Sequence, residues 1–179
     1  MSSLTIYDDQ ARALAHHTDA DDIREALAGI GVGFERWAAD RVLPDGAGQD
    51  DVLQAYAASV DRLKAAHGFV TADVIRMKPD HPERASLRAK FLDEHTHADP
   101  EVRFFVEGRG QFVLHPDQRV FSLVAEAGDL VFVPAGARHW FDMGEHPSFC
   151  AIRIFSDPAG WVATYTGDPV ADRYPRLSP

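Results

Sequence analysis

The densest group of potential metal ligands in this sequence lies at residues 93–101, which read Asp-Glu-His-Thr-His-Ala-Asp-Pro-Glu. Alternate side chains of an extended chain share one face, so His95 and His97 can direct two imidazoles toward one point. Pro100 favours a bend, after which Glu101 begins the next strand and turns its carboxylate back toward the pair. Two imidazoles and one carboxylate, with coordination positions left open, suit a redox-capable Fe(II) ion, and Mn or Ni also fit. The alternative interpretation is an exposed polar strand end.

A second stretch, residues 128–139, adds another histidine at a defined spacing. It reads Gly-Asp-Leu-Val-Phe-Val-Pro-Ala-Gly-Ala-Arg-His, and the first stretch continues through six residues after Glu101 to Gly108. The patterns His-x-His-x(3)-Glu-x(6)-Gly and Gly-x(5)-Pro-x-Gly-x(2)-His, in this order, resemble the paired motifs of the cupin superfamily. That resemblance implies an antiparallel β-barrel in which His139 joins the three residues above as the fourth metal ligand.

Several longer segments resemble the acireductone dioxygenase family, and together they extend from about residue 73 to about residue 168. The segments that carry this resemblance are residues 88–97, 101–110, 139–144 and 151–155. The resemblance implies one Fe(2+) or Ni(2+) ion per chain, bound by the four ligands named above. It also implies a dioxygenase of methionine salvage that uses O2 to cleave a small acireductone, 1,2-dihydroxy-3-keto-5-(methylthio)pentene.

The products implied by this resemblance depend on the metal. The Fe form gives formate and 4-methylthio-2-oxobutanoate, the keto-acid precursor of methionine, and the Ni form gives formate, carbon monoxide and 3-(methylthio)propionate. One alternative is another metal-dependent cupin enzyme with the same ligands, such as an Mn decarboxylase or a sugar isomerase. A cupin that binds a ligand without catalysis is a second alternative, for which an intact set of three histidines and one glutamate is unexpected.

Arg103 follows Glu101 at the spacing that places two strand side chains on the same face. A fixed cation beside the metal would stabilise an enediolate, so Arg103 is the candidate catalytic residue. The alternative is a structural ion pair with one of the many carboxylates. We favour the catalytic role because an unpaired charge is costly inside a barrel.

Five aromatic residues are candidates for an apolar wall that would hold the methylthioethyl tail of the substrate. The alternative for each of them is a place in the hydrophobic core. The candidates are Phe91, Phe104, Phe105, Phe141 and Trp161.

The first third of the chain has the apolar spacing of helices. One predicted helix follows the acidic residues 19–22 and ends at Gly29 or Gly31, and a second begins at Asp50 and ends at Gly68. We assign both helices to packing against a sheet. A strand at residues 72–77 and a short helix from Pro82 follow.

The rest of the chain predicts short strands separated by turns. The predicted strands are residues 102–106, 111–114, 120–125, 130–133, 139–143 and 150–155, with one of the turns at residues 108–110. The sequence therefore predicts a mainly β, α+β domain with a cupin jelly-roll barrel and N-terminal helices packed outside it. We expect one domain over residues 1–179, with a helical layer at 1–70, the barrel at 71–166 and a surface tail at 167–179.

The overall charge excludes several classes of partner. There are 18 Lys and Arg against 28 Asp and Glu, for a net charge of −10, and no basic cluster that could bind nucleic acid or an anionic membrane.

Because no signal-like start and no long apolar run is present, we expect a cytoplasmic protein. Cys150 is the only cysteine, which excludes an intrachain disulfide. Without a heptad pattern or a long apolar surface helix, we expect a monomer. The six histidines outside the ligand set, including His115, are expected at the surface or at caps.

Overall fold

The computed structural model describes residues 1–157, 159 and 162–178 of the protein. Within these residues the chain forms eleven strands, four α-helices and one 3-10 helix. The strands are β1 (Ser3–Tyr7), β2 (Ala13–His17), β3 (Gly33–Arg36), β4 (Thr71–Met77), β5 (His95–Thr96), β6 (Glu101–Leu114), β7 (Val120–Glu126), β8 (Asp129–Val133), β9 (His139–Asp142), β10 (Phe149–Phe155) and β11 (Thr164–Tyr165). The helices are α1 (Ala20–Ala28), α2 (Gln49–Ala55), α3 (Ala57–His67), α4 (Arg84–Leu92) and the 3-10 helix (Pro169–Arg173).

The strands form antiparallel sheets that are joined through β6. The first part of β6 pairs with β8 and β10, and its second part pairs with β7 and β9. Side chains from both groups of strands meet in one core, which includes Leu4, Phe112, Val131 and Phe141. The predicted mainly β, cupin-like class is thereby confirmed. The hydrogen-bonded path ends at β11 and β2, so the predicted barrel is not closed by one continuous ladder.

The turn predicted at residues 108–110 is wrong, because β6 runs through it as one strand. Gly108 has a φ of +64°, and a Cβ at this position would lie 1.8 Å from the carbonyl oxygen of Ser148. Only glycine fits both the conformation and the space. The pairing with β10 shifts by one residue between Cys150 and Ala151, which is a β-bulge. This bend carries β6 from one sheet into the other. The glycines in residues 108–110, from which a turn was predicted, mark this bend instead.

The helical layer predicted for residues 1–70 is incomplete, because that segment also holds three strands. β1 pairs with β7, with Leu4 opposite Leu123, and β3 pairs with β8. β2 lies at the edge of the sheet, where most of its side chains are exposed. These strands have only four or five residues, and such short apolar segments carry too little periodicity to be told from loops or helix ends.

The helices begin and end close to the predicted residues. The Asp19 side chain accepts hydrogen bonds from two backbone amides at the start of α1, and the helix ends at Gly29. The helix predicted from Asp50 is broken at Tyr56 into α2 and α3, and Gly68 ends α3 in the left-handed conformation. Both helices pack on the outer face of the sheet. Among the described residues, no helix is both long enough and apolar enough to cross a lipid bilayer.

The C-terminal segment is not the surface tail predicted for residues 167–179. Val170, Ala171 and Tyr174 are buried and pack against a cluster that includes Trp140. The hydroxyl of Tyr174 donates to the carbonyl oxygen of Asp8, which ties the segment to the N-terminal strands. Prolines and charged residues dominate this stretch, so its apolar residues are too few to give a recognisable pattern.

Candidate metal centre and its cavity

Three of the four predicted ligands are histidines that β5 and β9 bring to one point. His95 lies directly opposite His139 in the antiparallel pair, and His97 follows two residues after His95. The ring centroids of the three histidines are 4.5–5.1 Å apart. One nitrogen from each ring lies within 4.8 Å of the others, so the three rings could hold one metal ion.

Backbone carbonyl groups fix the orientation of these rings. Each Nδ1 lies at hydrogen-bonding distance from one carbonyl oxygen: His95 from Asp93 (2.7 Å), His97 from Val162 (3.3 Å) and His139 from Ala137 (2.8 Å). A carbonyl oxygen only accepts, so each Nδ1 donates and each Nε2 keeps its lone pair. This is the tautomer that metal-binding histidines adopt. Sequence reasoning missed these partners because every residue has a carbonyl group and no residue type marks them.

Glu101 brings a carboxylate to the same point from the start of β6. Its side chain is 1 % exposed, and Oε2 lies 3.6 Å from Nε2 of His97. Burial raises the pKa of Glu101, but the positive charge of Arg103 and the nearby imidazoles outweigh burial, so the pKa lies below its usual value. The carboxylate is therefore ionised and able to bind a cation.

Two buried hydrogen-bond acceptors at this point lack a hydrogen-bond partner among the described residues. They are Oε2 of Glu101 and Nε2 of His139, both of which are electron-pair donors. Burial lowers the pKa of His139 to about 3, which keeps its imidazole neutral at physiological pH. Burying an atom with a free electron pair and no hydrogen-bond partner is costly, and a bound divalent cation would accept the electron pairs of these two atoms. The residues present therefore fit a metal ion held by three nitrogens and one oxygen.

Arg103 lies on the same face of β6 as Glu101, as the period of a strand predicts. The side chain is buried, its Nη2 lies 3.4 Å from Oε1 of Glu101, and its Nε has no hydrogen-bond partner among the described residues. The guanidinium carbon is 4.8 Å from the ring centroid of Phe141 and 5.1 Å from that of Phe112. The structure therefore shows the ion pair of one sequence interpretation, and it places the cation beside the predicted metal ligands, as the catalytic interpretation requires.

A cavity of about 500 Å³ opens beside the three histidines. Its apolar wall includes Leu87 and Phe91 of α4, together with Phe141 and Val162. Cationic residues also line the cavity, namely Arg76, Lys90, Arg103 and Arg153, but the Arg76 guanidinium is bound by Glu107 and by the carbonyl oxygens of Pro44 and Ala47. This combination can hold a small molecule that has an anionic head and an apolar tail.

The five predicted pocket aromatics divide between the cavity and the core. Phe91 and Phe141 line the cavity, and Phe105 lies behind Phe141, with ring centroids 6.3 Å apart. Phe104 lies on the opposite face of β6, where it packs against Tyr56 in the second core cluster, so it is not a wall of this cavity. Trp161 lies outside the described residues.

Two polar clusters near the site were missed by sequence reasoning. Arg153 on β10 faces the cavity and is held by Asp73 on β4. His115, which was expected at the surface, is buried and hydrogen-bonds the buried carboxylate of Glu94. Thr166 donates to the same carboxylate at 2.8 Å, which anchors the chain after β11 beside β5. Both clusters join residues that are distant in sequence, so local spacing gives no signal for them.

Comparison with known proteins relates this chain to one family. The model of the ARD/ARD′ family matches residues 3–163. An acireductone dioxygenase of Pseudomonas aeruginosa (strain UCBPP-PA14) is 54% identical over 179 residues, with 99% of each chain covered. One from Synechococcus sp. (strain CC9605) is 51% identical over 185 residues, covering 99% of this chain and all of its own.

A solved structure gives the same result. The acireductone dioxygenase of Bacillus anthracis with a cadmium ion in its active centre superposes with a TM-score of 0.81. It is 29% identical and covers 92% of this chain and 98% of its own. The resemblance noted from the sequence motifs is thereby confirmed, and the chain belongs to the ARD/ARD′ family, the acireductone dioxygenases.

Proposed function

We propose that this chain is an acireductone dioxygenase that uses O2 to cleave 1,2-dihydroxy-3-keto-5-(methylthio)pentene in methionine salvage. The observation that carries the proposal is the convergence of His95, His97 and His139 at a cavity, with the buried carboxylate of Glu101 3.6 Å from His97 and with buried electron-pair donors that lack hydrogen-bond partners in the described chain. Full-length relatives at 50–54% identity bear the same enzyme name.

The proposed cofactor is one Fe(2+) or Ni(2+) ion per chain, held by these four residues. When bound, such an ion with four protein donors supplies two further coordination positions for substrate oxygens. The products proposed for the Fe-loaded protein are formate and 4-methylthio-2-oxobutanoate. Those proposed for the Ni-loaded protein are formate, carbon monoxide and 3-(methylthio)propionate.

The side chains around the ligands bind and orient the substrate. Arg103 places a fixed, buried positive charge beside Glu101, where it stabilises the enediolate anion. Phe91, Phe141 and Leu87 form an apolar surface that holds the methylthioethyl tail and excludes water. Holding the anion in one pose lowers the entropic cost of its reaction with oxygen.

The proposal is tested with metal-free protein that is reloaded anaerobically with Fe(2+) or Ni(2+). Acireductone is mixed with each form under nitrogen, oxygen is then added, and oxygen consumption and products are measured. We expect consumption above the spontaneous rate and a different set of products for each metal. A non-enzymatic cupin would consume no oxygen above that rate, and an Mn decarboxylase or a sugar isomerase would need none. Identical products from both forms would contradict the metal-dependent part.

We also propose that the chain acts as a monomer in the cytoplasm. The single cysteine, Cys150, is a buried free thiol whose pKa burial raises to about 12, as suits a protein that needs no disulfide. Light scattering during gel filtration should give a mass near 19.8 kDa. A mass of twice that value would contradict the monomer.

A further inference from the structure

A row of charged side chains crosses the sheet beside the cavity. Asp73 on β4 lies opposite Arg153 on β10, and Arg153 lies opposite Arg103 on β6. Directly opposed residues of antiparallel strands share one face of the sheet. Because Arg103 and Arg153 both line the cavity, this face is the cavity face.

The two arginines of this row are held differently. Arg153 donates from Nε and Nη2 to the two carboxylate oxygens of Asp73, at 2.8 and 2.6 Å, which is a bidentate ion pair. Its guanidinium carbon also lies 5.5 Å from the ring centroid of Phe155. Arg103 has one acidic partner among the described residues, Glu101 at 3.4 Å, which is one of the four proposed metal ligands. Arg153 is therefore fixed by an acid outside the ligand set, whereas Arg103 would share its acid with a bound metal ion.

This arrangement leaves excess positive charge when a metal is bound. A divalent cation at Glu101 would take up the negative charge that now faces Arg103. Asp73 compensates Arg153, so the charge left without a counterion is that of Arg103, which lies directly opposite Arg153, and desolvation makes such a charge costly in a cavity. Lys90 adds a third cation at the cavity wall. An anionic ligand that contacts both guanidinium groups would remove this imbalance.

We propose that Arg153, held by Asp73, is a second substrate-binding cation, which holds the anionic oxygens of the acireductone together with Arg103. This inference rests on the proposed function and assigns the recognition of the substrate's charged head to two strands, β6 and β10. It makes the cavity selective for an enediolate over an uncharged ketone of the same size. Asp73 is the positioning residue, because it acts through Arg153.

The test compares Arg153→Met and Asp73→Asn with a matched pair of controls. The controls are Arg24→Met and Asp21→Asn, which break an exposed ion pair of 2.6 Å on α1, away from the cavity. Acireductone is titrated under nitrogen into the Ni-loaded proteins and followed by its absorbance. Hydrogen bonds to charged groups predict that Arg153→Met raises the Kd about 10- to 100-fold. Asp73→Asn should raise the Kd less, about 3- to 10-fold, because Arg153 remains but loses its bidentate ion pair.

A second set of measurements separates binding from a purely structural role. Metal content per chain and the thermal midpoint are measured for each variant, and KM and kcat are determined with oxygen present. We expect both variants to keep one metal ion per chain and to change KM more than kcat. Arg153→Lys keeps the positive charge but cannot form the bidentate pair, and it should restore part of the affinity for acireductone.

Several outcomes would overturn the inference. In an active wild-type background, an unchanged Kd in Arg153→Met and Asp73→Asn would remove Arg153 from the substrate site. A rise in Kd that only follows a loss of metal would assign the pair to structure. Where Arg153→Met does not fold, an unchanged Kd in Arg153→Lys and Asp73→Asn has the same meaning. A wild-type protein that consumes no oxygen above the spontaneous rate would instead overturn the proposed function, and the inference with it.

Discussion

Two ion pairs in this protein, each with a buried carboxylate, differ in how well their polar atoms are satisfied. Asp142 is fully buried and accepts four hydrogen bonds, two from Arg88 and one each from the backbone amides of Gly144 and Leu177. Glu101 and Arg103 share one contact of 3.4 Å, and the second oxygen of Glu101 has no hydrogen-bond partner among the described residues.

The difference separates a structural anchor from a binding site. The Arg88–Asp142 pair ties α4 to β9 and to the C-terminal segment, and both carboxylate oxygens of Asp142 accept hydrogen bonds. The Glu101–Arg103 pair keeps unused donor and acceptor capacity in a buried place, which folding alone does not favour. Such capacity is explained when a ligand completes the set. The predictions below test this contrast.

The largest effect is expected for Glu101→Gln. The amide keeps the volume but loses the charge, so we expect metal affinity to fall by at least about 100-fold and dioxygenase activity to fall with it. Metal content after dialysis and oxygen consumption measure the two effects. The matched control is Glu107→Gln on the same strand, whose side chain instead pairs with Arg76 at 3.1 Å. Full metal content in Glu101→Gln would contradict the role of Glu101 as a ligand.

Asp142→Asn should change stability rather than chemistry. The variant loses the charge-assisted hydrogen bonds from Arg88, which is 19 % exposed and keeps a 3.7 Å pair with Glu145, and this predicts a loss of about 1–3 kcal/mol in the free energy of unfolding. Urea denaturation of the metal-free protein measures this loss. The control is Asp172→Asn, which breaks an exposed pair with Arg176 and should cost at most about 1 kcal/mol. Equal losses in both variants would show that the buried pair is not the stronger anchor.

Arg103→Ala should change chemistry rather than metal content. Loss of a preorganised cation beside the reacting anion predicts that kcat falls about 10²- to 10³-fold, with metal content near that of the wild type. Arg109→Ala, on the exposed part of the same strand, is the control and should leave kcat unchanged. Loss of metal together with loss of fold in Arg103→Ala would assign this arginine to structure.

The sequence placed His95, His97 and Glu101 close together because their spacing is local. His95 lies on β5, His97 follows the end of that strand, and Glu101 begins the next strand. The period of a strand placed Arg103 on the face of Glu101. Phe104 was chosen as a pocket aromatic by residue type, although the same period puts it on the opposite face, and because β6 is buried on both faces hydrophobicity does not distinguish them. The packing of α2 and α3 on that opposite face agrees with the strand period.

Contacts between distant segments were beyond the reach of the sequence. Arg153 and Asp73 are 80 residues apart, and their pairing depends on the register of β10 with β4. Arg88 and Asp142 are separated by 54 residues and meet only because α4 packs against β9. No spacing rule links such residues in a single sequence, so the anchor and the second cation became visible only in the folded chain.

The smallest expected effect is a pH dependence of the stability that the Arg88–Asp142 pair contributes. Burial raises the pKa of Asp142, but hydrogen bonds from Arg88 and two backbone amides outweigh burial, so the pKa in the folded state lies below its usual 3.8. A carboxyl group with a lowered pKa stabilises the fold above its unfolded pKa and loses this contribution as the pH falls through its folded pKa. The stability difference between wild type and Asp142→Asn should therefore be constant above about pH 5 and shrink toward acid.

Unfolding free energies of both proteins, measured by urea denaturation between about pH 2.5 and pH 7, test this expectation. Other carboxylates titrate over the same range, but they do so in both proteins, so the difference isolates Asp142. A difference that stays the same at every pH would mean that the Asp142 charge contributes no stability. The four hydrogen bonds would then stabilise the fold equally well with a neutral side chain, and the contrast with Glu101, whose role depends on its charge, would be sharper still.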